Sequence, residues 1–106
     1  MIKITVGTLS ESFGNNKIKI YRALPATTTE IRKNDYVTKS RKFAADHAVT
    51  SAMYNEEPFQ VIWAYVDATE LKEAPNPGEF FYIGSGIRGN PSQIATEDGN
   101  IKWLRV

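Results

Sequence analysis

The chain contains no cysteine. That excludes a disulfide framework, a thiolate nucleophile and any cysteine-ligated zinc site, and it fits a reducing compartment. Histidine is nearly missing too, since His47 is the only one. No histidine dyad can be assembled, and the carboxylates Asp46, Glu56 and Glu57 have no recognised metal-coordination spacing. No segment approaches the roughly 20 apolar residues that cross a bilayer. The stretch Met1-Ile2-Lys3-Ile4-Thr5-Val6 lacks the long apolar run and small-residue cleavage site of a signal peptide, so a cytoplasmic protein is expected. An excess of one charge is also lacking. Thirteen Lys and Arg against twelve Asp and Glu leave a net charge of +1, which disfavours generic binding to a phosphate backbone.

What is present suits one small α+β domain spanning all 106 residues. Hydrophobic residues make up 42% of the chain, with five Phe, five Tyr and two Trp, enough to fold without a metal or disulfide staple. Ile2, Ile4 and Val6 alternate with polar residues as in a half-buried strand, and Gly14-Asn15-Asn16 is a turn tip. Ile18, Ile20 and Arg22 share one face of the next strand, with Lys19, Tyr21 and Ala23 on the other. Glu30 to Asn34 is read as a short helical turn, and Asn34-Asp35 as a turn into a brief strand, Tyr36-Val37-Thr38. Ser40 caps the clearest helix, which fades near Met53 to Asn55 and carries Phe43, Ala44, His47 and Ala48 along one face. Phe59 to Val66 is the strongest strand and has the length of a central one. A short helical turn follows over Asp67 to Leu71, then the stiff loop Pro75-Asn76-Pro77-Gly78 and a strand from Glu79 to Ile83. Gly84 to Gly89 is read as a flexible loop rather than a dinucleotide fingerprint, because no helix opens after it. Arg88 to Pro91 is read as a further loop. Asp98-Gly99-Asn100 turns into a terminal strand, Ile101 to Val106.

Three polar positions stand out. Arg22, on an apolar strand, must reach solvent or find an anion, because an unpaired buried guanidinium is very costly. Its planar fork suits phosphate or carboxylate. Thr38 and Ser40 put two hydroxyls at a strand–helix junction, where they can brace a cleft and hydrogen-bond a carboxylate; Ser40 also serves as a helix cap. Glu79 opens a hydrophobic strand. It is either the solvated end of an edge strand or, at the mouth of a cleft, a carboxylate able to stabilise a developing cation. His47 is read as packing or facing solvent.

The order of these features resembles the small phage and bacterial members of the ADP-ribosyltransferase superfamily. It runs Ile20-Tyr21-Arg22-Ala23, an Asn-Asp turn, Tyr36-Val37-Thr38-Lys39-Ser40 with Phe43, Ala44 and His47 following, an aromatic strand, and Glu79-Phe80 with Tyr82. The likeness extends from about Lys19 to Ile83. It implies a split β-sheet core with one main helix, and NAD as co-substrate. It also implies that Arg22 grips NAD, that Thr38 and Ser40 support the nicotinamide pocket, and that Tyr36 or Phe43 stacks on the nicotinamide ring. Glu79 would then hold the nicotinamide ribose and stabilise the oxocarbenium-like state. Members that modify arginine carry an acid or amide two positions before the glutamate; Pro77 stands there, which argues against an arginine acceptor. The function implied is ADP-ribosyl transfer to a protein or nucleic-acid acceptor. The alternative is a non-catalytic phage-type inhibitor on the same scaffold, acting in the host bacterial cytoplasm against a defence or host enzyme. A nucleotide or RNA binder using Arg22, Lys39, Arg41 and Lys42 ranks below both, given the neutral net charge.

Overall fold

The computed structural model describes residues 17–103. The strand expected over Ile2 to Val6, the turn at Gly14-Asn15-Asn16 and the last three positions of the terminal strand lie outside the described residues. The nine strands among the described residues, numbered in chain order, are β1 (Lys17–Pro25), β2 (Glu30–Ile31), β3 (Tyr36–Thr38), β4 (Phe59–Asp67), β5 (Leu71–Glu73), β6 (Glu79–Tyr82), β7 (Ile87–Arg88), β8 (Asn90–Ala95) and β9 (Ile101–Trp103). One α-helix, α1 (Arg41–Asn55), lies between β3 and β4, and a 3-10 turn covers Ala68–Glu70. Seven strands form one sheet in the order β5-β6-β3-β1-β4-β8-β9, and β2 with β7 forms a separate ribbon. Every pairing is antiparallel. The α+β class with one main helix is therefore the architecture of the described residues.

β4 is central, as its length and aromatic, β-branched composition suggest. It pairs with β1 along its whole length, from Lys17↔Asp67 to Pro25↔Phe59, and with β8 on its other side. Because side chains alternate along a strand, each face of the sheet has its own core. On one face Ile20, Leu24, Val37, Ile62, Val66 and Tyr82 pack with Ile31 of the ribbon. On the other, Ala44, Ala48 and Ala52 of α1 rest on Val61 and Ala95, with Tyr21, Ala23 and Phe59 at the margin. These alanines recur every fourth residue, so one stripe of the helix is inward. Alanine is the best helix former, and its lack of bulk lets the helix backbone approach the sheet closely. The helix begins where Ser40 Oγ accepts a hydrogen bond from the Phe43 N–H at 3.0 Å. It ends at Glu56, whose backbone is left-handed (φ 56°) and whose N–H returns to the Ala52 carbonyl.

Several local readings are corrected. Glu30-Ile31, expected in a helical turn, is a strand paired with Ile87-Arg88, which was expected in a loop. Ile31 supplies the reason: it is fully buried in the core, and the ribbon is what carries it there. Asn90–Ala95, also expected to begin in a loop, is β8, bent by a register shift against Val61/Ile62 that accommodates Pro91. Leu71–Glu73 is a short strand beside β6 rather than the tail of the helical turn.

Candidate functional site

The strand registers build a transverse row on the helix-bearing face. Glu79 of β6 lies opposite Thr38 of β3, and Thr38 lies opposite Tyr21 of β1. Residues paired in this way project from the same side of a sheet. The turn before β6 fixes the glutamate. Glu79 N–H closes on the Asn76 carbonyl at 3.1 Å, and Gly78 has φ +80°. Pro77 and Gly78 are thus the two central residues of a type II turn, which favours proline first and needs a residue tolerant of positive φ second. Pro77 is there for the turn, and that accounts for the absence of an acid or amide at its position. The Gly78 carbonyl then accepts from the Lys39 N–H and from Thr38 Oγ1, each at 3.3 Å, tying the turn to the end of β3.

Thr38 is buried, and its hydroxyl also accepts from the Ser40 N–H at 3.0 Å. It therefore braces the strand–helix junction through backbone partners and not through the carboxylate expected for it. Ser40 does not line the cleft; its hydroxyl is the helix cap. The Glu79 carboxylate is half-buried and accepts from Asn76 Nδ2 at 3.3 Å.

Arg22 lies where β1 and β3 part, for these strands pair only at Tyr21↔Thr38 among the described residues. Its Nη1 donates to the Tyr36 carbonyl at 2.6 Å, and its Nε lies 3.5 Å from Asp35 Oδ2. That same carboxylate oxygen accepts from the Arg32 N–H at 2.8 Å. Burial pulls the Arg22 guanidinium below its ordinary range, while the Asp35 charge opposes the shift; an arginine so placed is still a cation at neutral pH. Its Nε is buried and faces only the Asp35 ion pair, so the donor capacity left to a ligand is that of the terminal nitrogens, of which Nη1 makes the one bond to Tyr36. Asp35 is the neighbour of Arg22 that sequence reasoning missed. The Asn34-Asp35 turn was legible, but nothing local indicated that its carboxylate would meet the strand that carries Arg22.

These groups surround one cleft of about 480 Å³, within the usual range for a small-molecule site. Arg22, Thr38 and Glu79 line it together with the rings of Tyr36 and Phe43; Tyr21, His47, Pro75 and Asn76 complete the wall. Tyr36 and Phe43 are each about half exposed (51% and 50%), so two rings, not one, are available to a flat ligand. Tyr36 is steadied from behind by Phe81, with ring centres 4.5 Å apart. His47, on the exposed flank of α1, stands at the cleft wall rather than in the core.

Such a site combines a fixed cation, a buried hydroxyl, two exposed rings and one carboxylate, with no side chain set up as a strong nucleophile. It can bind an anionic, ring-bearing ligand and stabilise positive charge that develops near Glu79. Among the described residues no group of three or more His, Asp and Glu could hold a metal ion, and no helix is long and apolar enough to cross a membrane. No protein-family model, curated protein or solved structure matches the chain.

Proposed function

We propose that this cleft binds NAD and that the protein transfers ADP-ribose from it to a macromolecular acceptor. The observation that carries the reading is the convergence of Arg22, Thr38, Glu79, Tyr36 and Phe43 on one cleft from four separate elements. The guanidinium of Arg22 would take a phosphate or ribose oxygen, using the donor capacity that Asp35 and the Tyr36 carbonyl leave free. Tyr36 and Phe43 would hold the nicotinamide ring by stacking. Thr38 would keep the Gly78 turn, and with it Glu79, in place.

In the reaction the C1′–N glycosidic bond breaks and its electron pair leaves with nicotinamide. Positive charge then spreads over C1′ and the ribose ring oxygen. The Glu79 carboxylate would stabilise that charge and hydrogen-bond the ribose hydroxyls. A nucleophile of the acceptor forms the new bond to C1′ and gives up its proton to solvent. Preorganised charge of this kind is the largest single contribution in many enzymes, and it needs no cysteine or histidine dyad. The test is release of free nicotinamide from NAD by the protein and by Glu79→Gln. Release that falls steeply in the variant supports the reading. No release and no acceptor labelling by the wild-type protein would leave a binding protein in its place.

A further inference from the structure

The transverse row does not stop at Tyr21. Tyr21 lies opposite Trp63 of β4, so Glu79, Thr38, Tyr21 and Trp63 fall in one line across four adjacent strands on one face. Adjacent strands lie about 4.8 Å apart, which puts Tyr21 about 10 Å from Glu79 and Trp63 about 14 Å from it. One step along the strands, Lys19 lies opposite Tyr65, and Tyr65 is 55% exposed. Trp63 and Tyr65 meet edge to face with centres 5.7 Å apart. Lys19 Nζ sits above the group, 4.4 Å from the Trp63 ring centre, 5.6 Å from Tyr21 and 6.0 Å from Tyr65. Rings therefore run from the open sheet surface to the cleft wall, where Tyr21 belongs to both.

We infer that this row is the acceptor platform, and that it takes an unpaired base of a single-stranded nucleic acid; the inference rests on the ADP-ribosyl reading of the cleft. Three exposed or half-exposed rings with one ammonium above them form a surface on which bases stack. The charge on that surface decides between acceptors. A lysine or arginine side chain seeking the same rings would meet the Lys19 ammonium and be repelled. A nucleotide brings a phosphate that draws Lys19 off the Trp63 ring into an ion pair, leaving the ring face for the base. The near-zero net charge fits this mode, because stacking needs few phosphate contacts where generic backbone binding needs many.

The test uses the full chain and a fluorescein-labelled oligothymidine, followed by anisotropy. Single strand is expected to bind at least about tenfold more tightly than the duplex of the same length. Tyr65→Ala, at an exposed position that leaves the core intact, and Trp63→Leu should each weaken single-strand binding about tenfold, the scale of one lost base–aromatic contact. The logarithmic salt dependence should be shallow, corresponding to about one phosphate contact. The inference is overturned by no binding of the single strand, by undiminished binding in both variants, or by equal duplex binding with a steep salt slope. Nicotinamide release to water, measured on the same sample, does not depend on Trp63 or Tyr65, neither of which lines the cleft. Release without oligonucleotide binding would reject the platform and keep the transferase; loss of both would reject both.

Discussion

Under α1 the sheet presents Val61 and Ala95, with Ala23 at the margin, to a stripe of buried alanines. Beside the helix the same face presents Glu79 and Thr38 on β6 and β3 and Tyr21 and Trp63 on β1 and β4, with Arg22 bonded to the Tyr36 carbonyl and lining the same cleft. The two regions share a backbone and differ in what is laid over it. Small side chains let the helix come close and exclude water, which stabilises the fold. Large rings and charged groups that α1 leaves uncovered keep a cleft open at the helix's edge. Phe43 and His47 belong to the boundary, since each is one residue short of the buried stripe formed by Ala44, Ala48 and Ala52 and faces the cleft instead.

Substitutions should separate the two regions. The largest effect is expected from Glu79→Gln, which keeps the shape of the side chain and the Asn76 contact but removes the charge. Nicotinamide release should fall about 100- to 1000-fold with little change in thermal midpoint. Ala48→Leu should do the reverse. Ala48 is fully buried against the sheet, and overpacking there should cost about 1–3 kcal/mol, read as a lowered urea midpoint, with any loss of binding following the loss of fold. Ser40→Ala removes the cap on the Phe43 N–H and should cost about 1 kcal/mol in the same measurement. The smallest effect should be a gain. Gln93 is fully buried on the covered half, opposite Val61, and both polar atoms of its amide are without a hydrogen-bond partner. Gln93→Met should therefore raise stability by up to about 1 kcal/mol and leave the cleft untouched.

The parts legible in the sequence were those with a local cause. Ser40 followed by an alanine-rich stretch announces a capped helix, and the nine residues of β4 carry their own strand composition. The Arg22, Thr38 and Glu79 segments could be ordered along the chain; the registers β1–β3 and β3–β6 align Thr38 and Glu79 with Tyr21, and Arg22 joins them through its side chain, which bonds the Tyr36 carbonyl. The ribbon of β2 and β7 was not legible, because each strand has two residues and only their pairing across the chain buries Ile31. β8 was hidden by Pro91, whose segment reads as loop until β4 is laid beside it, and the polar Ser92 and Gln93 that follow show no strand pattern of their own. Asp35 escaped for a similar reason: a turn carboxylate looks solvated until the strand holding Arg22 is folded against it. The aromatic row was visible only in part. Trp63 and Tyr65 alternate on β4 as core residues would, and only the short reach of α1 leaves them uncovered.

The central claim is that Arg22, Tyr36 and Glu79 act on one ligand, and calorimetric titration of NAD into the protein tests it most directly. One site should be seen for the wild-type chain, strongly weakened by Arg22→Ala and by Tyr36→Ala and preserved in Glu79→Gln, whose loss is in turnover. No heat of binding from the folded wild-type protein, or binding that survives Arg22→Ala undiminished, would contradict it.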